Sequence, residues 1–215
     1  MPTRRHIIVC EGQSEWAYLR RLQGFLDDLP LETGRFQPPL IFISPESAIA
    51  KSGEYKTLVK NYQAKRKENK TSSIEIWADF DLYHRNDQSC ADNYKNKPAG
   101  IPHFLFSYHN FEDFFALHHA GNALQAWLDY GNPSGRHHFT NPLHSSDYLP
   151  EMTRLFPDYA KGDLPVDFVN QQSLKNLKAN LHHQATSNPQ YLQGIRSFAE
   201  FLIHEIEQAY PGHLD

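Results

Sequence analysis

Apolar residues recur along this chain with two periods. His6–Cys10 is a short β-branched apolar run, which predicts a buried strand. Glu11-Gly12-Gln13-Ser14 breaks it, and Trp16, Leu19, Leu22, Phe25, Leu26 and Leu29 follow at helical spacing. Ser14 is the expected cap of that helix and Pro30 its end. Pro39–Ile43 predicts a second strand. From Ser47 to Asn69 the residues are mainly Lys, Glu, Gln and Ala, which predicts a surface helix interrupted or delayed by Gly53. A third strand, Ser73–Ala78, runs into Asp79-Phe80-Asp81. Tyr83–Gly100 is polar and reads as a loop with some helix. Ile101–Tyr108 predicts a fourth strand, and Asn110 caps a helix from Phe111 to Ala120.

Strands alternating with helices at this spacing predict βαβ units, hence an α/β fold with a mainly parallel sheet flanked by helices. After about Asn122 the pattern changes. Asn132-Pro133-Ser134-Gly135, Asn141-Pro142, Phe156-Pro157-Asp158 and Leu164-Pro165 break the chain into short pieces. Helical spacing returns at Leu174, Leu177 and Leu181, and again at Tyr191, Ile195, Phe198, Phe201, Leu202 and Ile206. The expected organisation is an α/β domain over residues 1–121 and a mostly helical extension over 122–215, packed on it.

The candidate chemistry sits at strand ends. In a strand, residues two apart point to the same side, so Asp79 and Asp81 can reach one ion. Ligand sites in open parallel sheets lie beyond the carboxyl ends of the strands, where both Glu11 and Asp79-x-Asp81 fall. Magnesium takes hard oxygen ligands, keeping waters beside one or two carboxylates and a substrate phosphate. Glu11 can add a third carboxylate, or act on a proton through a bound water. Three carboxylates without a cation repel one another, and a cation removes that conflict. Magnesium is therefore the expected cofactor, with manganese as the alternative ion.

Composition narrows the class further. At 215 residues the chain is long enough to bury a core, and its net charge of −4 argues against a cationic nucleic-acid coat protein. Two cysteines, Cys10 and Cys90, make no disulfide framework and no zinc knuckle. No run approaches a membrane span and no signal peptide is evident, so a cytoplasmic protein without a membrane partner is expected. No phosphate-binding loop of the Gly-x-x-x-x-Gly-Lys-[Ser/Thr] kind occurs, so any ATP hydrolysis belongs to a partner.

The string Ile7-Ile8-Val9-Cys10-Glu11-Gly12-Gln13-Ser14-Glu15, followed by Asp79-Phe80-Asp81, resembles the Toprim pattern of a strand ending in Glu-Gly and a later strand ending in Asp-x-Asp. Tyr18 and the stretch Ser107-Tyr108-His109-Asn110-Phe111-Glu112-Asp113-Phe114-Phe115-Ala116-Leu117-His118 are similar to the RloB-like branch of that family. The resemblance covers roughly the first 120 residues. It implies a Toprim-like sheet and a metal-dependent nuclease acting on DNA or RNA, as the effector of a bacterial phage-defence system with an ATPase partner. It also implies that Glu11 is the general acid or base and that Asp79 and Asp81 bind magnesium. Many family members carry a third aspartate where this chain has Tyr83, so a further carboxylate is needed for a second ion. Glu15, one helical turn after Glu11, and Glu112, at the start of the helix after the fourth strand, are the candidates. Assembly into an oligomer is compatible with all of this. Two other classes share the features: a nucleotide-sugar transferase using Asp-x-Asp, and a non-catalytic partner module of a defence ATPase.

Weaker signals have plainer readings. Glu15 and Glu112 can serve as first-turn partners of a helix dipole. His118-His119, His137-His138 and His182-His183 lack zinc-ligand spacing, since neighbours on a helix point about 100° apart. Exposed or interface histidines are expected there. His109 ends the fourth strand and is the best single candidate for a functional histidine, with a structural role as the alternative. Lys60, Lys65, Arg66, Lys67 and Lys70 read as a solvated helix face, with a phosphate-backbone contact as the alternative.

Overall fold

A computed structural model of the chain describes residues 2–31, 34–50, 55–79, 104–107, 110–131, 145–187 and 196–215. Among the described residues five strands form one sheet: β1 (Arg4–Cys10), β2 (Leu40–Ile43), β3 (Ser73–Ala78), β4 (Leu105–Phe106) and β5 (Arg196–Ser197). Their order is β2-β1-β3-β4-β5, and every neighbouring pair is parallel. The helices are α1 (Gln13–Asp27), α2 (Tyr55–Glu68), α3 (Phe111–Ala116), α4 (Gly121–Gly131), α5 (Ser145–Leu155), α6 (Gln171–Ser187) and α7 (Phe198–Ala209), with a 3-10 turn at Glu46–Ala48. The expected α/β architecture with a parallel sheet and a helical C-terminal part is what the chain adopts.

The strands sort their side chains by the period of two. Ile7, Val9, Ile74, Ile76, Ala78, Phe104 and Phe106 enter a core covered by Leu58, Val59 and Tyr62 of α2. Ile8, Cys10, Leu40, Phe42, Trp77 and Leu105 face the opposite way, into a larger core with α1, α3 and the C-terminal helices. Both faces of the sheet are thus covered, which is why His6–Cys10 of β1 reads as a nearly continuous apolar run. In the larger core Trp77 stacks on Phe198 of α7 at 3.6 Å between ring centroids. Its indole N–H donates to Ser107 Oγ at 2.7 Å.

Several boundaries differ from expectation. Gly12, not Ser14, precedes α1, and no side chain caps that end. Ser14 Oγ instead accepts from the Gly162 N–H at 3.2 Å, so a tertiary contact has claimed the hydroxyl. The helix expected over Ser47–Asn69 begins at Tyr55, behind the 3-10 turn; Gly53 lies outside the described residues. It is less of a surface helix than its composition suggests, because Tyr55, Leu58, Val59 and Tyr62 are buried. Asn110 does cap α3, its side chain accepting from Asp113 N at 3.0 Å, but α3 ends at Ala116 and α4 starts afresh at Gly121.

The last helix starts at Phe198, not Tyr191. Arg196–Ser197 pair with Leu105–Phe106 as the edge strand β5, and Ser197 caps α7 by accepting from Glu200 N. Two residues are too short to show a strand period. Residues 101–103, 108 and 191–195 lie outside the described set, as does the polar stretch Tyr83–Gly100.

Candidate active site at the carboxyl ends of β1 and β3

The strand order locates the end of the sheet where a ligand crevice is expected. From β1 the chain passes through α1 to β2 on one side, then through α2 to β3 on the other, and the two helices cover opposite faces. The connections therefore diverge between β1 and β3, which is the topological switch point where open parallel sheets bind ligands. Glu11 directly follows β1 and Asp79 directly follows β3. Glu11 N donates to Trp77 O at 3.1 Å, extending the β1–β3 ladder to the rim. Asp79 N in turn donates to Glu11 Oε2 at 2.7 Å, so a backbone N–H fixes the glutamate's orientation. The structure thus brings Glu11 and Asp79 together across 68 residues of chain. Asp81 and His109 lie outside the described residues.

Glu15 lies in the first turn of α1 and is buried, with 3% of its surface exposed. Its position accounts for the glycine that precedes the helix. A Cβ on Gly12 would stand 3.1 Å from Glu15 Oε2, closer than a side chain ordinarily comes. The Gly12 backbone itself is ordinary extended chain, so the requirement is for space and not for a left-handed conformation. Glu15 also stands near Cys10. Burial, and secondarily the Glu15 charge, push that thiol far above its ordinary range.

Glu112 reaches the same end of the sheet from the first turn of α3 and is buried. Its Oε1 accepts from Tyr148 Oη and from Tyr159 Oη, each at 2.6 Å. Burial, then Glu112, raise the Tyr159 phenol well above its usual range, with smaller contributions from Tyr148 and Asp79. It stays protonated and donating, and the Asp79 contribution puts Tyr159 within electrostatic reach of the switch point. Lys161 Nζ donates to Tyr148 Oη at 3.1 Å. Tyr148, Tyr159 and Lys161 come from the C-terminal half and were not among the residues expected from sequence. Pro157 and Gly162 mark a turn there, but no spacing links it to Glu112.

No protein-family model, curated protein or solved structure matches this chain.

Among the described residues, which leave out Asp81, no three His, Cys, Asp or Glu side chains are grouped so as to hold a metal. The donor set nonetheless suits magnesium, which takes one or two carboxylates and fills its remaining positions with water and substrate oxygens. The paired histidines divide. His118 is buried rather than exposed, because both its ring nitrogens have partners: Tyr18 Oη at 2.9 Å and Phe114 O at 3.0 Å. Burial lowers its pKa to about 3. His182 is exposed, and His137 and His138 lie outside the described residues. Lys60, Arg66 and Lys67 of α2 are exposed, as is Lys70 beyond its end, whereas Lys65 is half-buried and paired with Glu68 at 2.8 Å.

Proposed function

We propose that this protein is a magnesium-dependent nuclease that hydrolyses phosphodiester bonds of DNA or RNA. The observation that carries the reading is the pairing of Glu11 with Asp79 at the switch point of the sheet. Asp79 and Asp81 are the metal ligands in this reading, and Glu11 moves the proton of the attacking water. When bound, magnesium supplies stabilisation of the charge that develops on the phosphoryl oxygens. The Asp79 N–H orients Glu11 for its task. The resemblance to RloB-like Toprim proteins supports a role as the effector of a bacterial phage-defence system, with an ATPase partner supplying the trigger.

Supercoiled plasmid and a labelled RNA, each incubated with magnesium and with chelator, test the reading. Glu11→Gln and Asp79→Asn are expected to lose about a hundredfold or more of the magnesium-dependent cleavage. Their melting curves should stay close to that of the wild type. Wild-type rates in either variant, or cleavage that persists in chelator, would contradict the assignment.

A further inference from the structure

Tyr148 and Tyr159 meet Glu112, and Lys161 meets Tyr148, from a part of the chain to which the motifs assign no role. The turn that carries Lys161 is fixed to α1. Ala160 bridges Asp163, and Gly162 between them has φ +81°, a left-handed conformation that favours glycine. Gly162 N donates to Ser14 Oγ, three residues after Glu11, and the Arg21 guanidinium donates twice to Leu164 O at 3.0 and 2.8 Å. On its other side Tyr159 is tied to Glu112. Lys161 is thus exposed to solvent but carried on a chain segment anchored on both flanks. Its ammonium meets Tyr148 Oη at 3.1 Å and lies 5.6 Å from the centre of that ring. An ammonium carries three donors, and the phenol takes one.

We propose that Lys161 is a substrate contact: its ammonium receives a backbone phosphate of the nucleic-acid strand lying across Glu11 and Asp79. The proposal rests on the nuclease reading. Glu11 and Asp79 at the strand ends, with the buried Glu15 and Glu112, make this end of the sheet acidic and repel a polyanion, and a cation on the adjoining turn offsets that repulsion. The turn's attachment to α1 places that cation before substrate arrives, so little ordering is needed on binding.

The test is steady-state cleavage of a fluorescein-labelled oligonucleotide by the full chain, in magnesium, at several KCl concentrations. Lys161→Ala should raise KM about tenfold with kcat little changed. It should also reduce the steepness of log(kcat/KM) against log[KCl] by about 0.7, the contribution of one phosphate contact on a single strand. Lys161→Arg should restore most of both. Tyr148→Phe, which removes the phenol but keeps the cation, should keep the wild-type salt dependence. If the wild type cleaves and Lys161→Ala has its KM and salt dependence, the Lys161 assignment falls and the nuclease reading stands. The assignment also falls if Tyr148→Phe flattens the salt dependence as much as Lys161→Ala does, since Lys161 would then act only through the tyrosine. A wild type that cleaves nothing overturns both.

Discussion

Glu112→Ala separates an anchoring carboxylate from a metal ligand. Glu112 Oε1 accepts from two phenols at 2.6 Å, and Glu112, Tyr148 and Tyr159 are all buried. A hydrogen bond to a charged group contributes about 1.5–3 kcal/mol, and a buried hydroxyl left without its acceptor costs a comparable amount. Removing the shared acceptor takes one hydrogen bond from each of two buried phenols, so the expected loss is about 3–6 kcal/mol. For a chain of this size each kcal/mol moves the melting midpoint by about 2–4 °C, so a loss of about 4 kcal/mol lowers it by roughly 8–16 °C. Glu112→Gln keeps an acceptor oxygen and surrenders only the charge, and should lose about half as much. The assay is thermal unfolding followed by circular dichroism, beside calorimetric titration with magnesium. An unchanged melting midpoint together with weakened magnesium binding would refute the anchoring role and make Glu112 a ligand.

Two other consequences concern buried groups. His118 has its pKa lowered by burial to about 3, against about 6.5 when unfolded, so the folded state favours the neutral ring. That contribution is complete above about pH 6.5 and is lost as pH falls towards 3; about 2 kcal/mol should go by about pH 5. Denaturant unfolding of wild type and His118→Gln at about pH 8 and about pH 5 checks this, and equal pH dependence in the two would count against it. Cys10 is buried, its thiol raised by burial and within 3.1 Å of Ser44 Oγ. In a Cys90→Ser background it should react with a thiol reagent only after unfolding, and prompt reaction in the native protein would show the site to be open.

The sheet and its acidic rim are readable in the sequence for a physical reason. β1 is buried on both faces from His6 on, so His6–Cys10 appears as an apolar run; β3 keeps Ile74, Ile76, Trp77 and Ala78 buried around Glu75, and the acidic residues that follow both strands stand out. Their parallel pairing then follows from the alternation of strands and helices. What is not readable depends on long-range partners. Ser14 has the look of a cap because nothing local shows that Gly162 uses its hydroxyl. Arg196–Ser197 read as helical because an edge strand of two residues has no period of its own and is defined by β4 beside it. His118 reads as exposed because its partners, Tyr18 and Phe114 O, include a residue 100 positions away. Tyr159 and Lys161 escape notice because their tie to the crevice runs through Glu112, 47 residues upstream of Tyr159.

The most direct measurement is a crystal structure with manganese in place of magnesium, read by anomalous scattering. The expected result is a peak at the carboxyl ends of β1 and β3, within about 2.3 Å of carboxylate oxygens of Asp79 and of Asp81 or Glu11. A peak elsewhere, or none at saturating manganese, would contradict it.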